Sequence, residues 1–179
     1  MITTEKTKWF IDAAHSEIHF KVKHLVISNV TGSFSKFEGI MYTLKDDFTD
    51  AEIEFSIDAN SIDTNQPDRD THLKSPDFFD AAKYPVITFK SKNIRKKSGS
   101  EYTLKGDLTM HGVKKEIELN VEHGGVIKDP WGITKAGFEI TGTINRKDFG
   151  FTWNTVTETG GLVVAEEVKI LINVELARQ

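Results

Sequence analysis

The sequence predicts an all-β protein, an antiparallel barrel of about eight strands with one short helical segment. Apolar residues recur at every second position over most of the chain, which is the period of a half-buried strand. Turn-forming residues separate these stretches, and no stretch has the pattern of a long helix, so the crossovers that parallel sheets need are lacking. The last strand is long and apolar on one face. Closure into a barrel, rather than a sandwich, would keep that strand from being an open edge.

The first part of the chain predicts three strands, over residues 16–22, 34–42 and 51–58. Between the first two, Asn29-Val30-Thr31-Gly32 is typical of a turn. In the second strand the alternation is interrupted near Phe37, as a β-bulge would do. The third strand has the clearest alternation of apolar and polar residues.

A short helical lid is predicted over residues 66–82. Pro67 suits the first turn of a helix, where a missing N–H costs nothing, and Asn65 and Asp68 are candidate capping residues. Pro76 prevents a long continuation, so the helix has about two turns. We expect the lid to join two strands and to cover one end of them.

The second part of the chain predicts five more strands. They run over residues 86–91, 102–110, 117–121, 138–144 and 168–176. Residues 95–100 form a polar hairpin tip. Gly124-Gly125 and residues 129–132 are expected to bracket a connection.

The inward rows of these strands are almost entirely apolar. A barrel of eight strands is just wide enough to be filled by side chains or to hold one elongated small ligand. Two interpretations follow: a packed core, or a cavity for an apolar ligand. The residues expected to contact such a ligand are Phe20, Val22, Phe34, Ile53, Phe55, Ile57, Phe89, Leu104, Leu108, Leu119, Phe138 and Ile140.

Composition limits the possible functions. The 179 residues predict a single domain, 1–179, and the net charge of −4 with 23 Lys and Arg argues against a nucleic-acid partner. No apolar run approaches the roughly 18 residues of a membrane span, so no stable membrane insertion is expected. Cysteine is absent. Residues 1–9 lack the apolar region of a signal peptide, which predicts a cytoplasmic location, or a periplasmic one if a leader has been removed.

Two polar sites stand out from the apolar pattern. Arg69, Asp70 and His72 fall within one helical turn and could bind an anion or transfer a proton. Alternatively, Asp70 caps the helix and pairs with Arg69, while His72 packs under Leu73. Arg146 continues an inward row, where it either closes the barrel end through an ion pair or meets a polar ligand group.

Metal binding and catalysis find little support in the sequence. His15 and His19 lie four residues apart on a predicted strand, about 13 Å, which is too far for one ion. No serine lies in a Gly-x-Ser-x-Gly context, and no glycine-rich loop precedes a helix. No metal, cofactor or catalytic residue is therefore predicted.

Several short motifs occur in a fixed order along nearly the whole chain. They include His15-Ser16-x-Ile18-x-Phe20-x-Val22-Lys23-His24-Leu25, Arg69-Asp70-x-His72-Leu73, Asp77-Phe78-Phe79-Asp80, Tyr84-Pro85-x-Ile87-Thr88-Phe89, Gly106-x-Leu108-Thr109-x-His111-Gly112 and Arg146-x-Asp148-Phe149-Gly150. In these motifs the chain resembles the YceI-like family of polyisoprenoid-binding proteins.

The resemblance implies a lipocalin-like barrel that holds a polyisoprenoid lipid of quinone or polyprenyl type, often in a dimer and frequently in the periplasm. The apolar rows would hold the tail, and Arg69, Asp70, His72 and Arg146 would meet the head group. The expected function is a non-catalytic carrier or store. The alternatives are an enzyme acting on the isoprenoid head group and a packed structural or stress-related barrel without ligand.

Overall fold

The computed structural model describes residues 5–155 and 163–179. Residues 1–4, part of the stretch on which the location is predicted, lie outside this range. The described elements, in chain order, are β1 (Thr7–Ile11), β2 (Glu17–His24), β3 (Ser28–Phe34), β4 (Phe37–Thr43), β5 (Glu52–Asp58), β6 (Ile62–Asp63), α1 (Pro67–Lys74), β7 (Val86–Ser98), β8 (Glu101–Met110), β9 (Val113–Lys128), β10 (Thr134–Asn145) and β11 (Val164–Arg178).

The strands form one closed antiparallel barrel with eight strand positions. Six of the strands combine in pairs, because β1 and β2 both run along β11, with Trp9 opposite Arg178 and Ile18 opposite Ile172. In the same way β3 and β4 share the next position, because β3 pairs with β2 and β4 pairs with β1. Strands β5 and β6 share the third position, because β5 pairs with β4 and β6 pairs with β3. Strands β7 to β11 then follow as consecutive neighbours, and β11 closes the ring. The predicted barrel is therefore confirmed.

One predicted turn is wrong. Asn29–Gly32 lies inside β3 and pairs with β2, with Gly32 opposite Phe20. The Phe20 ring covers Gly32 so closely that a Cβ there would overlap the ring. A glycine within a strand often marks such a close approach, and here it does not mark a turn.

The connection predicted over residues 124–132 is shorter in the structure. Strand β9 continues to Lys128, and the pairing with β10 shifts register between Gly137 and Phe138. Gly125 has a φ of +125°, which only glycine adopts readily. The two glycines therefore form a bulge, beyond which β9 pairs with β10 but not with β8.

One end of the barrel is closed by side chains, and we call it the closed end. Phe48, on the loop between β4 and β5, is 2% exposed and packs edge-on against Trp9 at 5.7 Å between ring centroids. The Trp9 indole donates a hydrogen bond to Thr43 Oγ1 at 3.2 Å. The Tyr102 hydroxyl donates to the Asp47 carbonyl at 2.7 Å, which fixes the loop across this end.

The opposite end carries the lid, as predicted. Helix α1 has eight residues with Pro67 at its start. Its capping residue is Gln66, whose side-chain oxygen accepts from Arg69 N at 2.7 Å, and not Asn65 or Asp68. No helix in residues 5–155 and 163–179 is long and apolar enough to span a membrane.

Candidate functional site

The barrel interior is a cavity of about 420 Å³, within the usual size range of small-molecule sites. The packed-core interpretation therefore does not describe the whole interior. The twelve apolar residues predicted to contact a ligand all lie on the cavity wall: Phe20, Val22, Phe34, Ile53, Phe55, Ile57, Phe89, Leu104, Leu108, Leu119, Phe138 and Ile140.

The cavity wall also includes apolar residues that the sequence reasoning did not assign to a site. Strand β11 contributes one complete row, and the connections at the two ends contribute aromatic rings. Among these residues are Met41, Phe48, Phe78, Phe79, Phe151, Trp153, Val168, Ile170, Ile172, Val174 and Leu176. The alternation along β11 was visible in the sequence. No alternation in the sequence indicates that Phe151 and Trp153 face the cavity, because they lie on an irregular segment after β10.

The cavity reaches the surface at the lid end. There its wall includes side chains that are only half buried, among them His24, Arg69, His72, Trp153 and Val163. We call this opening the mouth. Because the closed end is filled by Phe48 and Trp9, an elongated ligand would enter the cavity lengthwise through the mouth.

Arg69 and Asp70 hold the start of the lid through Thr64. Asp70 Oδ1 accepts hydrogen bonds from Thr64 N at 2.9 Å and from Thr64 Oγ1 at 2.5 Å. Arg69 donates from Nε to Thr64 Oγ1 at 2.8 Å and from Nη2 to the Thr64 carbonyl at 2.7 Å. The alternative in which Asp70 caps the helix and pairs with Arg69 is therefore wrong. Arg69 lies on the cavity wall, and Asp70 does not.

His72 lies at the mouth between two aromatic rings. Its Nε2 is 2.8 Å from Asp77 Oδ2, and its ring meets Phe78 and Trp153 edge-on at 5.1 and 5.0 Å. The alternative in which His72 packs under Leu73 is wrong. The carboxylate of Asp77 and the two rings together fix the imidazole beside the opening.

Arg146 is 5% exposed, and backbone carbonyls surround its guanidinium. It donates to the carbonyls of Phe151 at 2.7 Å and Ala165 at 2.8 Å, and further to those of Trp153 and Val164. Burial lowers the pKa of Arg146, because it disfavours the charged guanidinium. Both earlier alternatives miss this role: Arg146 joins the start of β11 to the segment after β10, and it also borders the cavity.

His123 is a polar group next to the closed end. Its ring stacks on Phe138 at 4.9 Å and meets Phe48 at 5.0 Å. Its Nε2 is buried without a hydrogen-bond partner among the described residues. Burial lowers the pKa of His123, because an apolar environment disfavours the charged ring.

One group of side chains in the described part of the chain has the spacing of metal ligands: Asp12, His15 and Glu175. Lys135 Nζ already lies among them, 2.8 Å from Asp12 and 3.1 Å from Glu175. This lysine supplies the positive charge that the carboxylates need, so the group is an ion-pair network. His19 lies apart from it and contacts Glu17 at 3.2 Å.

The comparisons with known proteins agree with this architecture. Residues 9–176 match the model of the YceI-like domain. The UPF0312 protein SAS2572 of Staphylococcus aureus is 38% identical over 172 residues, which cover 96% of this chain and 98% of that protein.

Two solved structures are similar in fold. The YCEI protein of Campylobacter jejuni is 35% identical, with a TM-score of 0.73 over 94% of this chain and 96% of its own. A domain of Saccharophagus degradans, described as a polyisoprenoid binding domain implicated in plant cell wall breakdown, is 19% identical. Its TM-score is 0.70, over 96% of this chain and 98% of its own. With a family match along nearly its whole length, this chain belongs to the YceI-like family.

Proposed function

We propose that this protein binds a long-chain polyisoprenoid lipid, of quinone or polyprenyl type, and carries or stores it without chemical change. The observation that carries the proposal is the apolar cavity of about 420 Å³, closed at one end and open at the other beside Arg69 and His72. A branched hydrocarbon tail fits such a wall, since the one buried side-chain polar atom without a hydrogen-bond partner in residues 5–155 and 163–179, His123 Nε2, does not border the cavity. The name of the Saccharophagus degradans domain supports the same ligand class.

The head group of the ligand would remain at the mouth. Arg69 and His72 are the groups best placed to meet it, because both border the opening and are half buried. Asp70 accepts a hydrogen bond from Thr64, and Arg146 donates its hydrogen bonds to backbone carbonyls. These two residues therefore position the mouth more than they contact a head group.

The decisive experiment is mass spectrometry of a native, detergent-free preparation, followed by extraction into organic solvent. We expect a co-purified polyprenyl compound at close to one molecule per chain. An empty protein that also rejects added long-chain isoprenoids would overturn the proposal and favour the packed barrel.

A matched pair of variants tests whether the ligand lies inside the barrel. Phe55→Asp puts a charge on the cavity wall, whereas Phe10→Asp makes the same change on the outer surface, where Phe10 is 39% exposed. Lipid retention should fall in the first variant and stay at the wild-type level in the second. Equal retention in two folded variants would contradict an interior site.

Catalysis on the head group is the second candidate, and the His72–Asp77 pair at the mouth favours it, since a carboxylate beside an imidazole is a common acid–base arrangement. His72→Ala tests it. If the protein is an enzyme, the variant loses turnover and keeps lipid binding. If the protein is a carrier, the bound lipid stays chemically unchanged in both the wild type and His72→Ala.

A further inference from the structure

The hairpin between β2 and β3 exposes three consecutive apolar residues. Leu25 is 39% exposed, Val26 71% and Ile27 85%. Single exposed apolar residues are common on protein surfaces, but three in succession at the end of a hairpin form a small protruding patch. We call these residues the apolar tip.

The backbone of the apolar tip is unfavourable for the residues it carries. Leu25 and Val26 have φ values of +54° and +66°, in a turn closed by the Ile27 N–H and the His24 carbonyl at 3.3 Å. Asn and Gly are the residues that such paired positive φ values favour, and a β-branched valine is costly there. The tip is therefore unfavourable both in conformation and in its exposure to water, and a partner that buries it would offset these costs.

The apolar tip lies beside the mouth of the cavity. Val22 and His24, which lead into the tip, lie on the cavity wall. Leu25 N donates a hydrogen bond to the carbonyl of Val163, itself a residue of the mouth, at 2.9 Å. A surface that contacts the tip thus also lies against the opening.

The charges around the apolar tip indicate the nature of that surface. Lys21 and Lys23 precede it, and the sequence from residue 18 to residue 37 contains no Asp or Glu. Lys169 of β11 is paired with Lys21 across the strands. Of the two nearby carboxylates on β11, Glu166 is bound by Lys147 at 2.7 Å, and Glu167 is exposed.

We propose that the apolar tip docks the protein on an anionic lipid bilayer, with Val26 and Ile27 inserted among the lipid head groups and the lysines facing lipid phosphates. Apolar insertion flanked by cations is the general way in which peripheral proteins bind anionic membranes. Docking at this place sets the mouth against the bilayer, so a tail passes between membrane and cavity without crossing water. The passage of a tail into the cavity rests on the proposed lipid binding, whereas the docking itself needs no bound ligand.

The test is flotation of the ligand-free, full-length protein with vesicles of equimolar phosphatidylcholine and phosphatidylglycerol, compared with phosphatidylcholine alone. We expect binding to the anionic vesicles and about tenfold or more weaker binding after Ile27→Asp. Ile127→Asp is the matched control. It changes a residue that is 71% exposed on the β9–β10 hairpin at the opposite end of the barrel, and it should leave binding unchanged.

A second variant separates docking from folding. Leu25→Asn combined with Val26→Gly supplies the residues that the turn favours, so the protein should become more stable while vesicle binding falls. Three results would overturn the proposal. They are no binding of the wild type to anionic vesicles, equal binding by the wild type and Ile27→Asp, or a loss of binding in Ile127→Asp but not in Ile27→Asp. Because these measurements use empty protein, their failure leaves the lipid-retention result of the proposed function intact.

Discussion

At the scale of single residues, Arg146 is a buried cation whose role at the edge of the cavity is structural. Its four backbone acceptors come from two segments, residues 151–153 and 164–165, which have no ladder pairing with each other. A guanidinium can satisfy several carbonyls at once because its donors point in fixed, divergent directions. The residue therefore holds together one side of the mouth.

We expect Arg146→Ala to lower the free energy of unfolding by about 3 kcal/mol, because buried carbonyls lose their donors. Arg146→Lys should recover little of this, since an ammonium cannot reach carbonyls on opposite sides. Urea unfolding measures both. Lys147→Ala, which removes an exposed ion pair with Glu166, is the control and should change stability by less than about 1 kcal/mol. A loss of similar size in Arg146→Ala and Lys147→Ala would contradict the assigned role.

The sequence located Arg146 on an inward row but did not identify its partners. Counting by twos along β10 was enough for the first step. The acceptors are main-chain atoms of a segment without regular structure, and no residue pattern specifies where such a segment passes. The same limit explains why Phe151 and Trp153 were not assigned to the site.

At the scale of elements, the broken strand β1–β2 is fixed to β11 by a polar network. The Asp12 backbone N–H donates to the Glu175 carbonyl at 2.8 Å, and Ser16 Oγ donates to the Asp12 carbonyl at 2.7 Å. The Asp12 side chain accepts from Lys135 on β10 at 2.8 Å. Three strands thus meet at the place where the barrel closes.

This network predicts a defined acid sensitivity. The hydrogen bond from Lys135, helped by one from His15, lowers the pKa of Asp12 from 3.8 to about 2. A carboxyl with a lowered folded-state pKa stabilises the fold above its unfolded pKa, and this contribution is lost as pH falls through the folded value. Asp12→Asn should therefore cost on the order of 1–2 kcal/mol at pH 5, and its difference from the wild type should vanish as the pH falls from about 4 to about 2.

The control for this prediction is Glu17→Gln, which alters an exposed carboxylate that contacts His19 at 3.2 Å. Thermal or urea unfolding across the acid range is the measurement. A constant difference between the wild type and Asp12→Asn at all pH values would show that the amide disturbs packing and that ionisation is not the cause.

Glycines on the strands shape the cavity by allowing rings to lie flat across them. A Cβ at Gly106 would lie 2.5 Å from the Lys90 carbonyl oxygen as well as from the Phe89 ring, so the backbone itself would have to move. At Gly32 the three atoms nearest to such a Cβ all belong to the Phe20 side chain, which can swing into the cavity.

Two alanine variants should therefore behave differently. Gly106→Ala should destabilise the barrel by about 2 kcal/mol or more, because overlap with backbone has no local remedy. Gly32→Ala should cost less stability but should reduce lipid capacity, since the displaced Phe20 ring takes up cavity space. Unfolding curves and lipid retention measured on both proteins check this; the reverse order of stabilities would show that Phe20 cannot move.

At the scale of the whole molecule, the eight-stranded closed barrel could be predicted because period-two alternation and a strongly apolar last strand leave few alternatives. The subdivision of the first three strand positions into six short strands could not. The breaks lie at residues such as Ser35 and Lys36, between β3 and β4, where local sequence permits either a turn or a bulge. Only pairing with the neighbouring strands decides between them. The cavity could not be predicted either, because its existence depends on how the side chains of all the strands pack together.

The size and shape of the cavity predict how affinity depends on the ligand. Burying one CH₂ group contributes about 0.8 kcal/mol, so each isoprene unit adds roughly 4 kcal/mol before ordering costs, whereas association itself costs on the order of 4–15 kcal/mol. A series of geranyl, farnesyl, geranylgeranyl and solanesyl chains with one common head group should therefore bind with steeply increasing affinity. The increase should stop once the cavity of about 420 Å³ is filled and further units remain outside the mouth. Calorimetric titration of ligand-free protein measures the series, and exchanging the head group at fixed chain length should change affinity less than adding one unit. Affinity that follows the head group and ignores chain length would move the binding site from the barrel interior to the polar residues at the mouth.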